Sequence, residues 1–241
     1  MSLRTDFIIT SIEEVFCQGI AVANGLKSSG IEAYPALDYI LSSLLLRMTG
    51  FSEQKLRSIH WIVATQDLDI RYEMIKGDQA KYGEYSAWDK KKEFYKFMTE
   101  EYQKIKGKPI SWTDVEKESI LDYTKNIFGS TLQDSVFQLS YCSDVNNAIA
   151  FVKTWTKEDI LSRGLLVQKI SDLYPSLYKS RNRSAHNTLS YQRDFLSFSE
   201  FMSPENPQSN FFVYFAILIL LDTIFIKTYS KLAEVWPSGS I

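Results

Sequence analysis

Eleven consecutive apolar residues at 211–221 constrain the fold of this chain more than any other feature. A helix that is apolar on every side must be enclosed by protein or by lipid. The run is too short to span a bilayer, and Asp222 and Lys227 interrupt its continuation. We therefore expect a long helix over about 210–235 that lies in the protein core or at an oligomer interface, and no membrane-spanning segment.

The rest of the chain also has the pattern of helices. Glycine and proline are sparse, with 10 and 6 of 241 residues, which disfavours a turn-rich β architecture. The predicted fold class is therefore all-α, a helical bundle. Apolar residues recur every three or four positions, which predicts helices over 6–26, 36–48, 52–63, 86–106, 113–128, 129–155 and 156–173.

Local signals set the predicted boundaries. Thr49-Gly50 is expected to end the second helix, whereas Thr113 and Thr156 have the sequence context of helix N-caps. Weak hinge signals predict an N-terminal helical region at 1–109 and a C-terminal bundle at 110–241. The alternative is that both parts pack as one unit.

Several polar residues are interpreted as structural. His60 lies in an apolar stretch and is expected in the core, and Cys17 and Cys142 are expected to be buried free thiols.

Two cysteines and two distant histidines predict no metal site, and without a glycine-rich phosphate loop no cofactor is expected. The start of the chain does not resemble a secretory signal, which predicts a cytoplasmic protein. The charged residues of the helix over 86–106 are expected to form a solvated face: Lys90, Lys91, Lys92, Glu93, Glu100 and Glu101.

The sequence Arg-Asn-Arg-Ser-Ala-His at 181–186 is the pattern that indicates chemistry. The imidazole of His186 can take and give a proton near neutral pH. Arg181 is a permanent cation whose planar guanidinium fits a phosphate group. Together the two residues predict phosphodiester chemistry, on RNA and without a metal.

Helical geometry qualifies this pattern. Asn182 and His186 are four residues apart and share one face of a helix, where Asn182 is able to hold the imidazole or contact a phosphate. Arg181 is rotated from His186 by about 140°. One copy of the pattern therefore looks incomplete, and a second copy across a two-fold axis would complete it.

A basic segment surrounds the pattern. Six basic residues and one acidic residue lie between positions 163 and 193, in a chain whose net charge is −2. A local positive patch on an acidic protein is typical of a polyanion site, although a solvated helix face is the alternative. Lys179, Arg183 and Arg193 are candidate contacts to the RNA backbone, with surface solubility residues as the other interpretation.

Arg181-Asn182 followed by His186, late in an all-helical chain, resembles the R-x4-6-H motif of the HEPN superfamily. The resemblance covers these three residues, and the helical pattern of 110–236 agrees with it. HEPN domains are helical bundles, frequently dimeric, and many are metal-independent endoribonucleases in toxin–antitoxin, phage-defence or RNA-processing systems. The resemblance implies Arg181, Asn182 and His186 as catalytic residues, RNA as substrate, a homodimer, and an antitoxin or nucleotidyltransferase as a possible partner.

The implied reaction uses the ribose 2′-OH as the nucleophile. His186 would act as base or acid, and Arg181 would stabilise the charge of the transition state. The products would be a 2′,3′-cyclic phosphate and a 5′-hydroxyl. The alternatives are a catalytically inactive HEPN-like module that binds RNA or protein, and a plain helical interaction protein.

Overall fold

The computed structural model describes residues 3–76, 85–162, 164–186 and 210–236, and this part of the chain is all-α. Its only β interaction is an isolated antiparallel bridge between Ile160 and Leu166. Single turns of 3-10 helix occur at Gly30–Ala33 and Lys157–Asp159. The α-helices are α1 (Leu3–Ile9), α2 (Glu13–Asn24), α3 (Tyr34–Gln66), α4 (Leu68–Lys76), α5 (Trp88–Lys106), α6 (Asp114–Gln133), α7 (Val136–Ser140), α8 (Cys142–Lys153), α9 (Gln168–Ser171), α10 (Tyr174–His186) and α11 (Phe211–Ala233).

The apolar helix α11 is the centre of the bundle, as the sequence predicts. It begins at Asn210, whose side-chain oxygen accepts the backbone N–H of Phe212 at 2.8 Å. Every side chain from 212 to 225 is buried, and α3, α5, α6 and α8 enclose the helix. In the part of the chain that the structure describes, this helix alone has the length and hydropathy to cross a bilayer, but 83% of its most apolar window is buried within the protein.

The core is continuous along the chain. Helices from both sides of residue 109 in the sequence contact α11, namely α3 and α5 before it and α6 and α8 after it. The rings of Phe16 and Phe94, from the N-terminal part, lie 5.7 and 6.0 Å from those of Phe215 and Phe225 in α11. The described residues therefore share one hydrophobic core.

A buried ion pair joins α3 to α11. The Lys55 ammonium lies 2.6 Å from the Asp222 carboxylate, and their side chains are 1% and 2% exposed. Each partner also binds the corner between α1 and α2: Lys55 donates to the Thr10 carbonyl at 2.6 Å, and Asp222 accepts the Ile12 N–H at 2.9 Å. These bonds satisfy backbone groups that a turn leaves without helical partners.

This corner corrects the predicted helix over 6–26. The chain forms two helices there, α1 and α2, because the ion pair supplies hydrogen bonds that compensate for interrupting the helix. The period of apolar residues is nearly unchanged across the corner, so the sequence pattern alone does not reveal it.

The predicted break at Thr49-Gly50 is also wrong, since α3 is one helix of 33 residues. The Thr49 hydroxyl donates to the Leu45 carbonyl at 2.8 Å within the helix. A glycine inside a helix costs about 1 kcal/mol relative to alanine. Burial of the apolar residues on both sides of Gly50 outweighs that cost.

The two predicted helix N-caps are confirmed, but the predicted lengths of the helices that follow them are wrong. Thr113 and Glu116 form the predicted capping box, but α6 runs through Gly129 to Gln133 instead of ending near 128. Thr156 is an N-cap as predicted, and the Asp159 carboxylate accepts its backbone N–H at 2.8 Å, yet only one turn of 3-10 helix follows, in place of the predicted helix over 156–173. The chain then turns through Leu161, which has a φ of 54°.

Two further expectations have opposite outcomes. His60 is buried as predicted, with its Nδ1 hydrogen-bonded to the Tyr85 hydroxyl, and burial lowers its pKa to about 4. The cysteine expectation is wrong, because Cys142 is exposed and Cys17 is only half-buried.

We expect Asp222→Asn to lower the free energy of unfolding by about 3–5 kcal/mol, because it leaves the buried Lys55 charge unpaired. Urea unfolding measures this as a shift in the transition midpoint. The matched control is Glu100→Gln in the exposed pair between Lys96 and Glu100, where the expected loss is below about 1 kcal/mol. Equal losses in the two variants would contradict the structural role of the buried pair.

Candidate functional site

Helix α10 carries the pattern at 181–186 as its last six residues. Pro175 occupies an early helical position, where its missing N–H costs no hydrogen bond. Tyr174 and Leu177 are buried against the bundle, and the Tyr174 hydroxyl donates to the Ser86 carbonyl at 3.0 Å. Arg181 follows Leu177 by four residues, so the same inward face of α10 carries it.

Arg181 is bonded to two partners, Asn182 and Glu53. Its Nη1 donates to the side-chain oxygen of Asn182 at 2.9 Å, and its Nη2 lies 3.2 Å from Glu53 Oε1. The side chains of Arg181 and Glu53 are 25% and 14% exposed, so this ion pair is partly screened from water. The guanidinium is therefore fixed between α10 and α3.

Lys91 corrects the expectation of a solvated charged face on α5. Its side chain is buried, with only 1% exposed, whereas Lys92, Glu93 and Glu100 lie at the surface as predicted. The Lys91 ammonium donates to Ser52 Oγ at 3.1 Å and lies 5.9 Å from the centre of the Tyr174 ring. Lys91 is buried because it lies three and seven residues before Phe94 and Met98, on the helix face that packs into the core.

Burial affects the charge state of Lys91. Loss of hydration lowers the pKa of Lys91 to about 8, and the carboxylates of Glu53 and Asp222 oppose part of that shift. At neutral pH most molecules therefore carry a buried lysine cation. Burial also lowers the pKa of Lys55 and raises that of Asp222, while their mutual attraction acts in the opposite direction.

A small cavity, which we call the Lys91 pocket, lies between α3, α5 and α10. Its volume of about 10 Å³ has room for one water-sized group. Two cations and one carboxylate face it, so the pocket has a net charge of +1 when all three are ionised. The lining residues are Thr49, Glu53, Ser86, Lys91, Tyr174, Leu177, Tyr178 and Arg181.

The remaining predicted site residues are only partly described. His186 is the last residue of α10, one turn beyond Asn182, and its side chain lies outside the described part of the chain, as does all of Arg193. Lys179 and Arg183 are exposed on α10. The structure thus brings Arg181 and Asn182 together and adds Glu53 and Lys91 to them.

No cluster of three or more His, Cys, Asp or Glu side chains suited to a metal ion occurs among the described residues. The charged groups that line the Lys91 pocket are two cations, Lys91 and Arg181, and one carboxylate, Glu53. Such a set is unsuited to binding a cation. The arrangement is chemically suited to an anion.

The sequence contains signals for the residues that the motif does not include. Ser52 and Lys55 occupy positions of α3 that continue the spacing of its buried apolar residues, and Lys91 does the same on α5. Asp222 is the single acid that directly follows the apolar run. A charged residue at a core position predicts a buried partner, although the sequence does not identify which residue that partner is.

We expect Lys91 to make stability depend on pH. The pKa of Lys91 is about 8 in the folded chain and 10.5 for an unperturbed lysine, so between these values only the unfolded state holds the proton. The free energy of unfolding of the wild type, relative to Lys91→Met, should therefore rise with pH in this window, by up to about 1.4 kcal/mol per pH unit. Below pH 8 the difference should level off.

Urea unfolding at several pH values measures this difference. The control is Lys92→Met, which removes an exposed lysine from the same helix, and the pH dependence of its difference is subtracted from that of Lys91→Met. If the difference in the free energy of unfolding between the wild type and Lys91→Met does not change between pH 8 and 10.5, Lys91 titrates like a solvated lysine.

Comparisons with known proteins give no further assignment. No model of a protein family, no curated protein and no solved structure matches the chain.

Proposed function

We propose that this protein is a HEPN-like, metal-independent endoribonuclease that cleaves RNA by attack of the ribose 2′-OH. The observation that carries the proposal is the pair formed by Arg181 and Asn182 near the end of α10, in an all-α chain. A guanidinium held by Asn182 and Glu53 loses little side-chain freedom when it binds a phosphate. His186 follows Asn182 by one helical turn.

In the proposed reaction His186 takes the proton of the 2′-OH or gives one to the leaving 5′-oxygen. Arg181 stabilises the additional negative charge on the phosphorus-bound oxygens. The 2′-oxygen forms a bond to phosphorus as the bond to the 5′-oxygen breaks, which yields a 2′,3′-cyclic phosphate and a 5′-hydroxyl. Asn182 acts as a positioning residue, since its side-chain oxygen accepts a hydrogen bond from Arg181.

The proposal includes an assembly and a setting. A homodimer would bring two copies of 181–186 together, so that each supplies a histidine and an arginine to one RNA strand. Lys179 and Arg183 are exposed on α10 and support contacts to the RNA backbone. We place the protein in the cytoplasm, in a toxin–antitoxin or phage-defence system, with an antitoxin or nucleotidyltransferase as a candidate partner.

The test is cleavage of single-stranded RNA in the presence of EDTA. We expect the wild type to cleave, and His186→Ala and Arg181→Ala each to lower the rate by about 100-fold or more, since each removes a group that acts in the transition state. The matched control is Arg47→Ala, which removes an exposed arginine from α3 and should leave the rate unchanged. Thermal unfolding of each variant establishes that it is folded.

Two outcomes would reject the nuclease. One is equal cleavage by the wild type and all three variants, which would indicate a contaminating activity. The other is no cleavage by any of them. If the wild type binds RNA without cleaving it, the chain is instead an inactive RNA-binding module of the same fold.

A further inference from the structure

Two lysines are buried among the residues that the structure describes, and only one of them has a carboxylate partner. Lys55 lies 2.6 Å from Asp222. Lys91 is equally buried, yet its ammonium donates to an uncharged oxygen, Ser52 Oγ, and no carboxylate of the described residues lies within ion-pair distance of it. A buried charge without a counter-ion is costly, because the protein interior replaces its hydration poorly.

Glu53, the carboxylate that lines the Lys91 pocket, is already paired with another cation. Glu53 forms its ion pair with Arg181, at 3.2 Å. One negative charge thus serves two cations, and the pocket lacks one negative charge when all three groups are ionised.

The size of the pocket limits what can supply this charge. A volume of about 10 Å³ admits one atom the size of a water oxygen, so a whole phosphate does not fit inside. One oxygen of a phosphate does fit, while the rest of the group remains outside. Arg181 lines the same pocket and is 25% exposed, so it reaches both the pocket and the solvent.

We propose that the Lys91 pocket is an anion subsite, in which Lys91 and Arg181 together bind one oxygen of a phosphate group. The phosphate belongs either to a nucleic-acid backbone or to free inorganic phosphate. The first source rests on the proposed ribonuclease function and makes Lys91 an additional binding residue for the RNA, whereas the second does not depend on that function. Glu53 opposes the anion, because its carboxylate neutralises part of the positive charge that attracts it.

Two substitutions of opposite charge test this assignment. Lys91→Met removes the buried cation with little change in volume and should weaken phosphate binding by about 10-fold or more, the range for a hydrogen bond to a charged group. Glu53→Gln removes the competing carboxylate and should strengthen phosphate binding. Damage to the fold would weaken binding in both variants, so opposite signs separate the subsite from a structural effect.

The experiment uses the full chain and two probes at constant ionic strength. Inorganic phosphate is titrated while NMR follows the side-chain signal of Arg181 in protein with isotope-labelled arginine, which Arg181→Ala identifies by its loss and which Lys91→Met, Glu53→Gln and Lys92→Met all retain. A 2′-O-methyl RNA oligonucleotide, which has no free 2′-OH to attack, is titrated in EDTA and followed by fluorescence anisotropy. Lys92→Met is the control, because it removes an exposed lysine from the same helix and should change either affinity by less than about 2-fold.

Binding of both probes with the two opposite effects supports the subsite as part of an RNA site. Binding of phosphate alone, with the same effects, supports it as a site for free phosphate. The proposal is overturned if Lys91→Met binds both probes as Lys92→Met does, or if Glu53→Gln and Lys91→Met weaken binding alike. RNA cleavage that depends on His186 but not on Lys91 would exclude the RNA backbone as the source of the phosphate and leave the nuclease intact. Phosphate binding with the two opposite effects but without any cleavage would support the subsite and reject the nuclease.

Discussion

The ion pair between Lys55 and Asp222 is the interaction on which the rest of the structure depends. A central helix as apolar as α11 has few means of fixing its register against its neighbours, since apolar contacts are non-directional. The ion pair between a buried carboxylate on α11 and a buried ammonium on α3 is directional, and it therefore fixes the register of these two helices. The hydrogen bonds from this pair to Thr10 and Ile12 then fix where α1 ends and α2 begins.

The ion pair of Lys55 and Asp222 is the most deeply buried part of a series of charged residues that continues through Lys91 and Glu53 to Arg181. The carboxylates of Asp222 and Glu53 both attract Lys91 through space, and Glu53 forms an ion pair with Arg181. The series crosses from the middle of the core to the end of α10. We infer that the position of the motif arginine depends on charges in the core, and that substitutions in the core will alter the site electrostatically as well as through packing.

The sequence predicts those parts of the structure that depend on local patterns. The central position of α11 follows from its uninterrupted apolar run, and the capping box at Thr113 follows from residues three positions apart. The corner between α1 and α2 and the unbroken α3 depend on contacts across the fold, such as the bond from Ile12 to Asp222, 210 positions away. A pattern read over a dozen residues contains no information about such contacts.

The candidate site also has features that a local sequence pattern predicts and features that depend on contacts between distant residues. That Asn182 and His186 lie one turn apart on a helix is predicted from their spacing, and α10 includes both. The partner of Arg181 is Glu53, 128 positions away, and the spacing does not identify it. The lysines and glutamates that surround Lys91 in sequence predict a solvated face, although its spacing from Phe94 and Met98 places it on the buried face.

The central claim is that Lys91, which is buried, forms one electrostatic unit with the partly exposed ion pair of Glu53 and Arg181. The most direct test is an NMR titration of the Lys91 side chain in the wild type and in Glu53→Gln. We expect the pKa of Lys91 to be about 8 in the wild type and lower in the variant, because the Glu53 carboxylate stabilises the protonated amine. A pKa near 10.5 that is the same in both proteins would contradict the account.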